Sequence, residues 1–277
     1  MENAELFDTA TNLGDFAINV GNNKVAYWTR NTVVPTTGNI YFAQGVSNSN
    51  IWFKLEDKNI GGALYGLPGS QTLNGDIHFY SKNSSFRNGA IGGAASSKCR
   101  DIYVTLENVE TKGAFYCSMG EADNYYINLN GGTYGDSSNV ASDFYVFQRG
   151  SGLNNTKVTT NDIYFTCNGG TFNANLIIGP NVKTKNTQTS LCCEVHDITA
   201  VLNDGFIDNE TADSTSCNIY CGWISGQNNI PTASLNDIKL IINGGQWFDN
   251  INLENGKGIY SGPAVTNGIA TVNNCYL

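Results

Sequence analysis

Aromatic, hydroxyl and amide side chains recur at fixed places in a repeated segment of this sequence, of which NDIYFTCNGGTF and NDIKLIINGGQW are two copies. If the Asp of each copy is position zero, aromatic side chains gather at position +2 and hydrogen-bonding side chains at position +4. Aromatic faces next to hydrogen-bonding groups suit sugar rings. The sequence therefore predicts a glycan-binding surface made of His78, Tyr80, Tyr103, Tyr126, Asn128, Tyr164 and Thr166. The alternative is that the aromatic side chains only stabilise a sheet through cross-strand pairs.

Position zero itself carries a column of carboxylates that one asparagine interrupts: Asp76, Asp101, Asn124, Asp162, Asp197 and Asp237. Stacked carboxylates repel one another unless something compensates their charge. One interpretation is a turn in which each side chain accepts hydrogen bonds from backbone N–H groups. The other is a calcium ion, because Ca²⁺ takes clustered carboxylate and carbonyl oxygens. The nonapeptide calcium-binding repeat is absent, so calcium stays the alternative and no other cofactor is expected.

The repeated segment has the pattern of a β-strand followed by a tight turn. Apolar side chains occupy positions +1, +3 and +5, which is the alternation of a strand with one buried face. Gly-Gly or Asp-Gly stands at +7 and +8 in four copies, and a large apolar side chain returns at +10 in most. A short apolar run after each turn predicts a second strand. Six copies are clear, and weaker ones start at Asp15, Asn50 and Asn267.

A single unit of this kind cannot bury its own apolar face, whereas stacked units bury a continuous core. Identical strands at this separation favour parallel pairing in register. We therefore predict an all-β fold, a single-stranded parallel β-helix (a β-solenoid) of roughly 8–10 coils with variable-length loops. Residues 1–277 form one domain, in which residues 76–277 are clear coils and residues 1–70 are early coils or an N-terminal cap.

The pattern D-I-x-h-x-h-x-N-G-G-T-F, in which h is apolar, resembles the repeat of right-handed parallel β-helix proteins of the pectin-lyase-like type. It is even more similar to the NGGTF repeats of large adhesin-like surface proteins from gut and other anaerobic bacteria. The resemblance covers residues 76–277 and implies a right-handed coil. Polysaccharide lyases, galacturonases, phage tailspikes and adhesins share this fold, so the fold alone does not choose a function.

Catalysis is an alternative that the resemblance brings with it. It implies an Arg or Lys base near calcium ligands in a lyase, and paired carboxylates with His and Lys in a galacturonase. Here His78 and His196 are isolated, and the NTD, DD and GHG motifs are missing. Arg149, at the edge of a strand, is the one Arg placed to act as a base, and an ordinary surface Arg is the alternative. A non-catalytic protein is the favoured interpretation.

Charge and composition exclude several classes of partner. The net charge is -9 and the pI is about 4.6, whereas nucleic acids and anionic lipids are bound by clustered Lys and Arg. The sequence has no apolar run long enough to span a membrane and no signal peptide as written. We expect an extracellular or cell-surface segment, with its signal removed or cut from a longer chain, and an intracellular protein is the alternative.

The chain has eight cysteines, several of which replace apolar residues of the repeat. We expect them to be buried thiols that act as small hydrophobic side chains. Disulfides are the alternative, and Cys217 and Cys221, which flank a strand, are the best candidates for them. Trp247, at +10, is predicted to lie in the core, and Trp223 is not assigned.

These observations favour a non-catalytic surface β-helix segment that binds a polysaccharide, a cell-surface glycan or another surface. One alternative is a polysaccharide lyase or glycoside hydrolase of the β-helix type. The other is a structural shaft such as a phage tailspike segment.

Overall fold

The computed structural model describes residues 25–28, 40–43, 47–48, 50–67, 69, 71–93, 97–136, 143–149, 157–184, 191–207, 219–226, 232–247, 259–260, 264–266 and 269–277. All the regular secondary structure within these residues is β. Of the residues singled out in the sequence, Asp15, Cys217 and Asn267 lie outside the described part. So do the side chains of Arg149 and Trp223.

The described residues form nineteen strands in two series that alternate along the chain. The first ladder consists of β1 (Val25–Trp28), β3 (Ile51–Glu56), β5 (Ile77–Lys82), β7 (Lys98–Thr111), β9 (Glu121–Tyr134), β11 (Val158–Phe172), β13 (Leu191–Ile207), β16 (Thr232–Ile242) and β19 (Ile269–Tyr276). The second ladder consists of β2 (Ile40–Tyr41), β4 (Asn59–Tyr65), β6 (Ser85–Ala90), β8 (Phe115–Ser118), β10 (Phe144–Arg149), β12 (Leu176–Thr184), β14 (Ile219–Tyr220), β15 (Trp223–Gly226), β17 (Ile259–Tyr260) and β18 (Ala264–Thr266).

The strands of both ladders pair in parallel, each with its counterpart in the neighbouring coil. In the first ladder, position +1 stays in register through six coils: Ile77, Ile102, Tyr125, Ile163, Ile198 and Ile238. The ladders join in one large parallel sheet that curls as in a β-solenoid. The prediction of an all-β chain with parallel strands stacked in register is confirmed.

The inward side chains of the first ladder build the core. β3 and β5 alternate strictly between buried and half-buried residues, as the apolar positions +1, +3 and +5 predict. Like residues stack on like, so that the Phe53 ring lies 4.5 Å from Phe42 and 5.8 Å from Phe79 between centroids. Because every coil buries such side chains against the next, the apolar surface removed from water grows with each coil.

The first ladder turns a corner at position +7. Asp57, Asn83 and Asn108 adopt φ angles of 54°, 47° and 50° there, and Gly131 adopts 80°. Most side chains are strained in this left-handed region, whereas Gly, Asn and Asp tolerate it. The early coils thus turn on Asn or Asp, and the later ones on the Gly-containing pairs. From β7 to β13 the strands continue through the corner, whereas β3 and β5 end before it.

The residue at +10 packs beneath this corner and in two coils also hydrogen-bonds to it. The Tyr134 hydroxyl donates to the carbonyl oxygen of Gly131 at 2.7 Å, and Trp247 Nε1 donates to that of Gly244 at 2.6 Å. Trp247 is only 4% exposed, which confirms its assignment to the core.

Two of the three weaker copies have a different register from the one predicted. In β19 it is Asn274, not Asn267, that pairs with Asp237, so Leu277 stands at +3 rather than at +10. In β1 it is Val25 that pairs with Trp52, which excludes the frame that starts at Asp15. Both segments are rich in Asn and Gly, so several frames match the repeat pattern. Only the strand pairing shows which frame is correct. The frame that starts at Asn50 is confirmed.

Most of the described cysteines lie in the core. Cys99, Cys117, Cys167 and Cys221 are buried free thiols, as expected of small hydrophobic side chains. Burial raises the pKa of the Cys221 thiol to about 12. Because Cys221 is a free thiol, the alternative of a disulfide to it was wrong.

Candidate functional site

The +2 column forms one continuous stack of rings on the outer face of the first ladder. Interplanar angles lie between 5° and 11°, and centroid distances are 4.8 Å for Trp52–His78, 4.4 Å for His78–Tyr103, 4.6 Å for Tyr103–Tyr126 and 5.3 Å for Tyr126–Tyr164. The strand register sets this spacing, because the +2 residues of adjacent coils pair directly. Trp52 was missed in the sequence, although it stands at +2 of the copy that starts at Asn50.

The rings of this stack cover one another's faces. Inside the stack only ring edges and polar tips reach solvent, so a sugar ring cannot lie flat on Tyr103 or Tyr126. Tyr164 differs, because its side chain is 43% exposed and its partner in the next coil is the smaller Thr199. The coil after that carries Lys239. We call this exposed Tyr164 face, with Thr199 and Lys239 beyond it, the open end of the stack.

The +4 residues form a second column beside the rings, as predicted: Tyr80, Thr105, Asn128 and Thr166 pair in register. Tyr80 belongs to a charged network, with the Lys54 ammonium 5.4 Å from its ring centroid. Burial and a hydrogen bond to Glu107 raise the pKa of Tyr80 to about 12. Tyr80 is therefore held by its own neighbours, whereas Thr166 lies next to the open end.

Asparagine amides link four later coils at position +6. The Asn168 amide donates to Asn130 at 2.8 Å, and also to Asn128 at 3.1 Å. Asn203 donates to Asn168, and Asn243 donates to Asn203, each at 2.7 Å. Each amide donates a hydrogen bond to the asparagine of the preceding coil, so this column mainly fixes the register of the coils.

The column at position zero compensates its charges in the early coils. Side-chain oxygens accept the backbone N–H of the same position one coil later: the Asp76 N–H donates to Asn50 Oδ1 at 3.0 Å, and the Asp162 N–H donates to Asn124 Oδ1 at 3.2 Å. The carboxylate of Asp76 also receives two hydrogen bonds of 2.6 Å from Arg100. The carboxylate of Asp76 likewise accepts the N–H of Asp101 at 3.3 Å. Side chains at these positions do accept backbone N–H groups, but the donors belong to the next coil, so the predicted local turn was wrong there.

Later in this column Asp162, Asp197 and Asp237 follow one another directly. Burial, and then the charges of Asp162 and Asp237, raise the pKa of Asp197. Among the described residues, no group of three or more His, Cys, Asp or Glu side chains is arranged to hold a metal ion.

The substitution Asp197→Asn is therefore expected to stabilise the protein by about 0.5–1 kcal/mol at pH 7. The new amide would donate to Asp162, as the Asn124 amide donates to Asp101 at 2.7 Å. The protonated form of Asp197 favours folding, because the pKa of its carboxyl group is raised in the folded state. This stabilisation is present below pH 3.8, the ordinary pKa, and is lost as the pH rises through the raised pKa of the folded state.

Urea unfolding at several pH values measures this effect as the difference in unfolding free energy between variant and wild type. The difference should be largest at neutral pH and shrink as the pH falls towards 3.8. Asp204→Asn, which removes a carboxylate outside the column, is the control and should not stabilise the protein as Asp197→Asn does. A difference for Asp197→Asn that is independent of pH would contradict the repulsion between these carboxylates.

The two histidines considered for catalysis are not brought together. His78 is stacked between Trp52 and Tyr103, and burial lowers its pKa, so it is a neutral ring in the stack at pH 7. His196 lies in β13, with β7, β9 and β11 between it and β5. Its Nε2 lies 3.9 Å from a carboxylate oxygen of Glu194.

In the part of the chain that the structure describes, no helix has the length and apolar character needed to cross a membrane. Comparison of the chain with protein-family models, with curated proteins and with solved structures gives no match.

Proposed function

We propose that this protein is a non-catalytic, right-handed parallel β-helix of the pectin-lyase-like type that binds glycans at a cell surface or outside the cell. The supporting observation is the open end of the stack, where Tyr164 stacks on one face only, is 43% exposed, and is followed by Thr199 and Lys239 in the next two coils. Aromatic platforms with a few convergent polar groups are the usual sites for sugar rings. A sugar ring bound on Tyr164 would extend the stack of side-chain rings by one.

The charges around the open end favour an uncharged glycan. Asp162, Asp197 and Asp237 lie two residues before Tyr164, Thr199 and Lys239 on three successive coils, and the whole chain carries a net charge of -9. These three carboxylates outnumber the single ammonium group of Lys239, so the column would repel carboxylates on the ligand. Polyuronates are the ligands that the pectin-lyase-like resemblance suggests, but we expect them to bind more weakly than neutral polysaccharides.

Affinity electrophoresis in gels that contain hydroxyethylcellulose, galactomannan, xylan or polygalacturonate tests this proposal. We expect a neutral polymer to retard the protein without being shortened. Thr199→Leu, which covers the exposed face of Tyr164, should weaken that retardation about tenfold, the equivalent of one aromatic contact.

Tyr276→Ala is the matched control, because Tyr276 is a 58% exposed tyrosine at +2 of the last coil, separated from the stack by Thr199 and Lys239. Equal retardation of Thr199→Leu and wild type would exclude the open end as the site. A shortened polymer would instead indicate an enzyme.

A structural shaft is the second candidate function. It is favoured by the mutual covering of the rings from Trp52 to Tyr126, which stiffens the outer face without offering it to a ligand. Retardation by none of the four polymers would leave the shaft as the supported function.

A further inference from the structure

A groove runs across the coils at the corner of the first ladder, on the far side of the asparagine column from the ring stack. Its volume is about 530 Å³, and it is lined by Gly131, Gly132, Gly170, Thr171, Asp204, Gly205, Phe206, Gly245 and Gln246. These residues belong to β9, β11, β13 and the turn that follows β16. The groove is thus made by the same corner repeated in four successive coils.

The floor of the groove is backbone, because the corner positions are glycines. A Cβ added to the neighbouring Gly169 would find no atom nearer than the Gly131 nitrogen at 3.7 Å, so the space above the corner is open there. On the inner side the corner is filled, since Tyr134 and Trp247 pack directly beneath it. Backbone therefore lines a surface that is supported from below, half-buried at Gly131, Gly132 and Gly170, buried at Gly205 and exposed at Gly245.

One wall of the groove carries an aromatic ring in an outward position. Phe206 stands at +9, where the preceding coils carry Thr133 and Thr171 and the following one carries Gln246. The core does not account for it, because the inward position next to it is +10, where Phe172 and Trp247 are buried in the two adjacent coils, and Phe206 is partly exposed. Its neighbours in the groove are a hydroxyl, an amide and the carboxylate of Asp204.

This combination of groups suits a sugar. An apolar ring accepts the C–H face of a pyranose, while hydroxyl, amide, carboxylate and peptide groups satisfy its hydroxyls. One oxygen of Asp204 accepts the N–H of Gly205 at 2.8 Å. Its other oxygen is a strong acceptor for a ligand hydroxyl.

The negative charge of the groove favours uncharged saccharides over acidic ones. Asp204 is its one charged residue, and none of the nine lining residues is basic. A uronic acid would bring a second carboxylate into the groove without a cation to pair it. We infer that this corner groove is a second saccharide site, which binds an uncharged sugar with its ring against Phe206. The inference takes its ligand class from the proposed function but concerns a different surface, separated from the open end by the +4 and asparagine columns.

Amide chemical shifts can test the two surfaces separately. The ¹⁵N-labelled full chain is titrated with cellohexaose, xylohexaose, mannohexaose and hexagalacturonate. We expect at least one neutral hexasaccharide to shift the amides of Gly131, Gly205 and Gly245, and hexagalacturonate to leave them in place. Phe206→Ala should reduce the affinity measured at these amides at least tenfold.

Thr171→Val, which removes one hydroxyl from the groove and keeps the shape, gives a second variant in case Phe206→Ala alters the fold. Thr133→Val is its matched control, since Thr133 pairs with Thr171 but does not line the groove. We expect Thr171→Val to weaken binding and Thr133→Val to leave it unchanged.

The outcomes distinguish this inference from the proposed function. Shifts only at the Tyr164 and Thr199 amides would overturn the groove and support the open end. Shifts only at the corner glycines would support the groove and overturn the open end. Shifts with none of the neutral sugars, or corner shifts with hexagalacturonate, would overturn the inference.

Discussion

Replacing Gly132 with Ala is expected to lower the free energy of unfolding by about 2–5 kcal/mol. Gly132 has a φ of 108°, where an L side chain is strained. Its Cβ would also overlap the backbone carbonyl oxygen of Val109 in the preceding coil. β7 and β9 are paired on both sides of this point, so the backbone cannot move away without breaking the register.

Gly169→Ala is the matched control for this effect. Gly169 also has a positive φ, 149°, but its Cβ would meet open space, with the nearest atom at 3.7 Å. It should therefore show only the backbone strain, about 1–2 kcal/mol. Guanidinium unfolding followed by circular dichroism measures both variants. Equal losses would mean that the coils shift to relieve the overlap, and would contradict a tightly stacked corner.

Replacing Tyr103 with Ala is expected to cost about 2–3 kcal/mol, because the ring stacks on both faces. Its centroid lies 4.4 Å from that of His78 and 4.6 Å from that of Tyr126. The substitution breaks the stack in the middle and removes half-buried aromatic surface. Measured in the same way, this loss indicates how much the stack contributes to the stability of the solenoid.

Tyr164→Ala provides the comparison, since Tyr164 stacks on one face only and is 43% exposed. We expect a loss of about 1 kcal/mol, roughly half of the effect at Tyr103 or less. A larger loss at Tyr164 than at Tyr103 would show that stacking is not what these rings contribute. A small loss at Tyr164, together with a lost affinity for a neutral polymer, would fit a ring retained for binding.

The position-zero frame predicted much of the architecture and of the outer surface. Strand period and turn residues are local signals, so the inward columns, the corner at Gly131 and the parallel register of Ile163 with Ile198 could be predicted. The +2 and +4 columns followed from the same frame. The frame failed where Asn-rich segments offered several equivalent starts, as in β19, because there the pairing of Val272 with Leu235 fixes the register.

The chemistry of the surfaces depended on which side chains of different coils become neighbours. The sequence by itself determined that like residues recur at one place in each coil, and hence that rings line up at +2. The tertiary structure decided that these rings lie face to face, which hides the inner ones and leaves Tyr164 as the open end. It also decided that Asp204 and Phe206 share a groove with glycines of other coils. Loops of different lengths separate these residues in the chain, and only the stacking of the coils brings them within reach of one ligand.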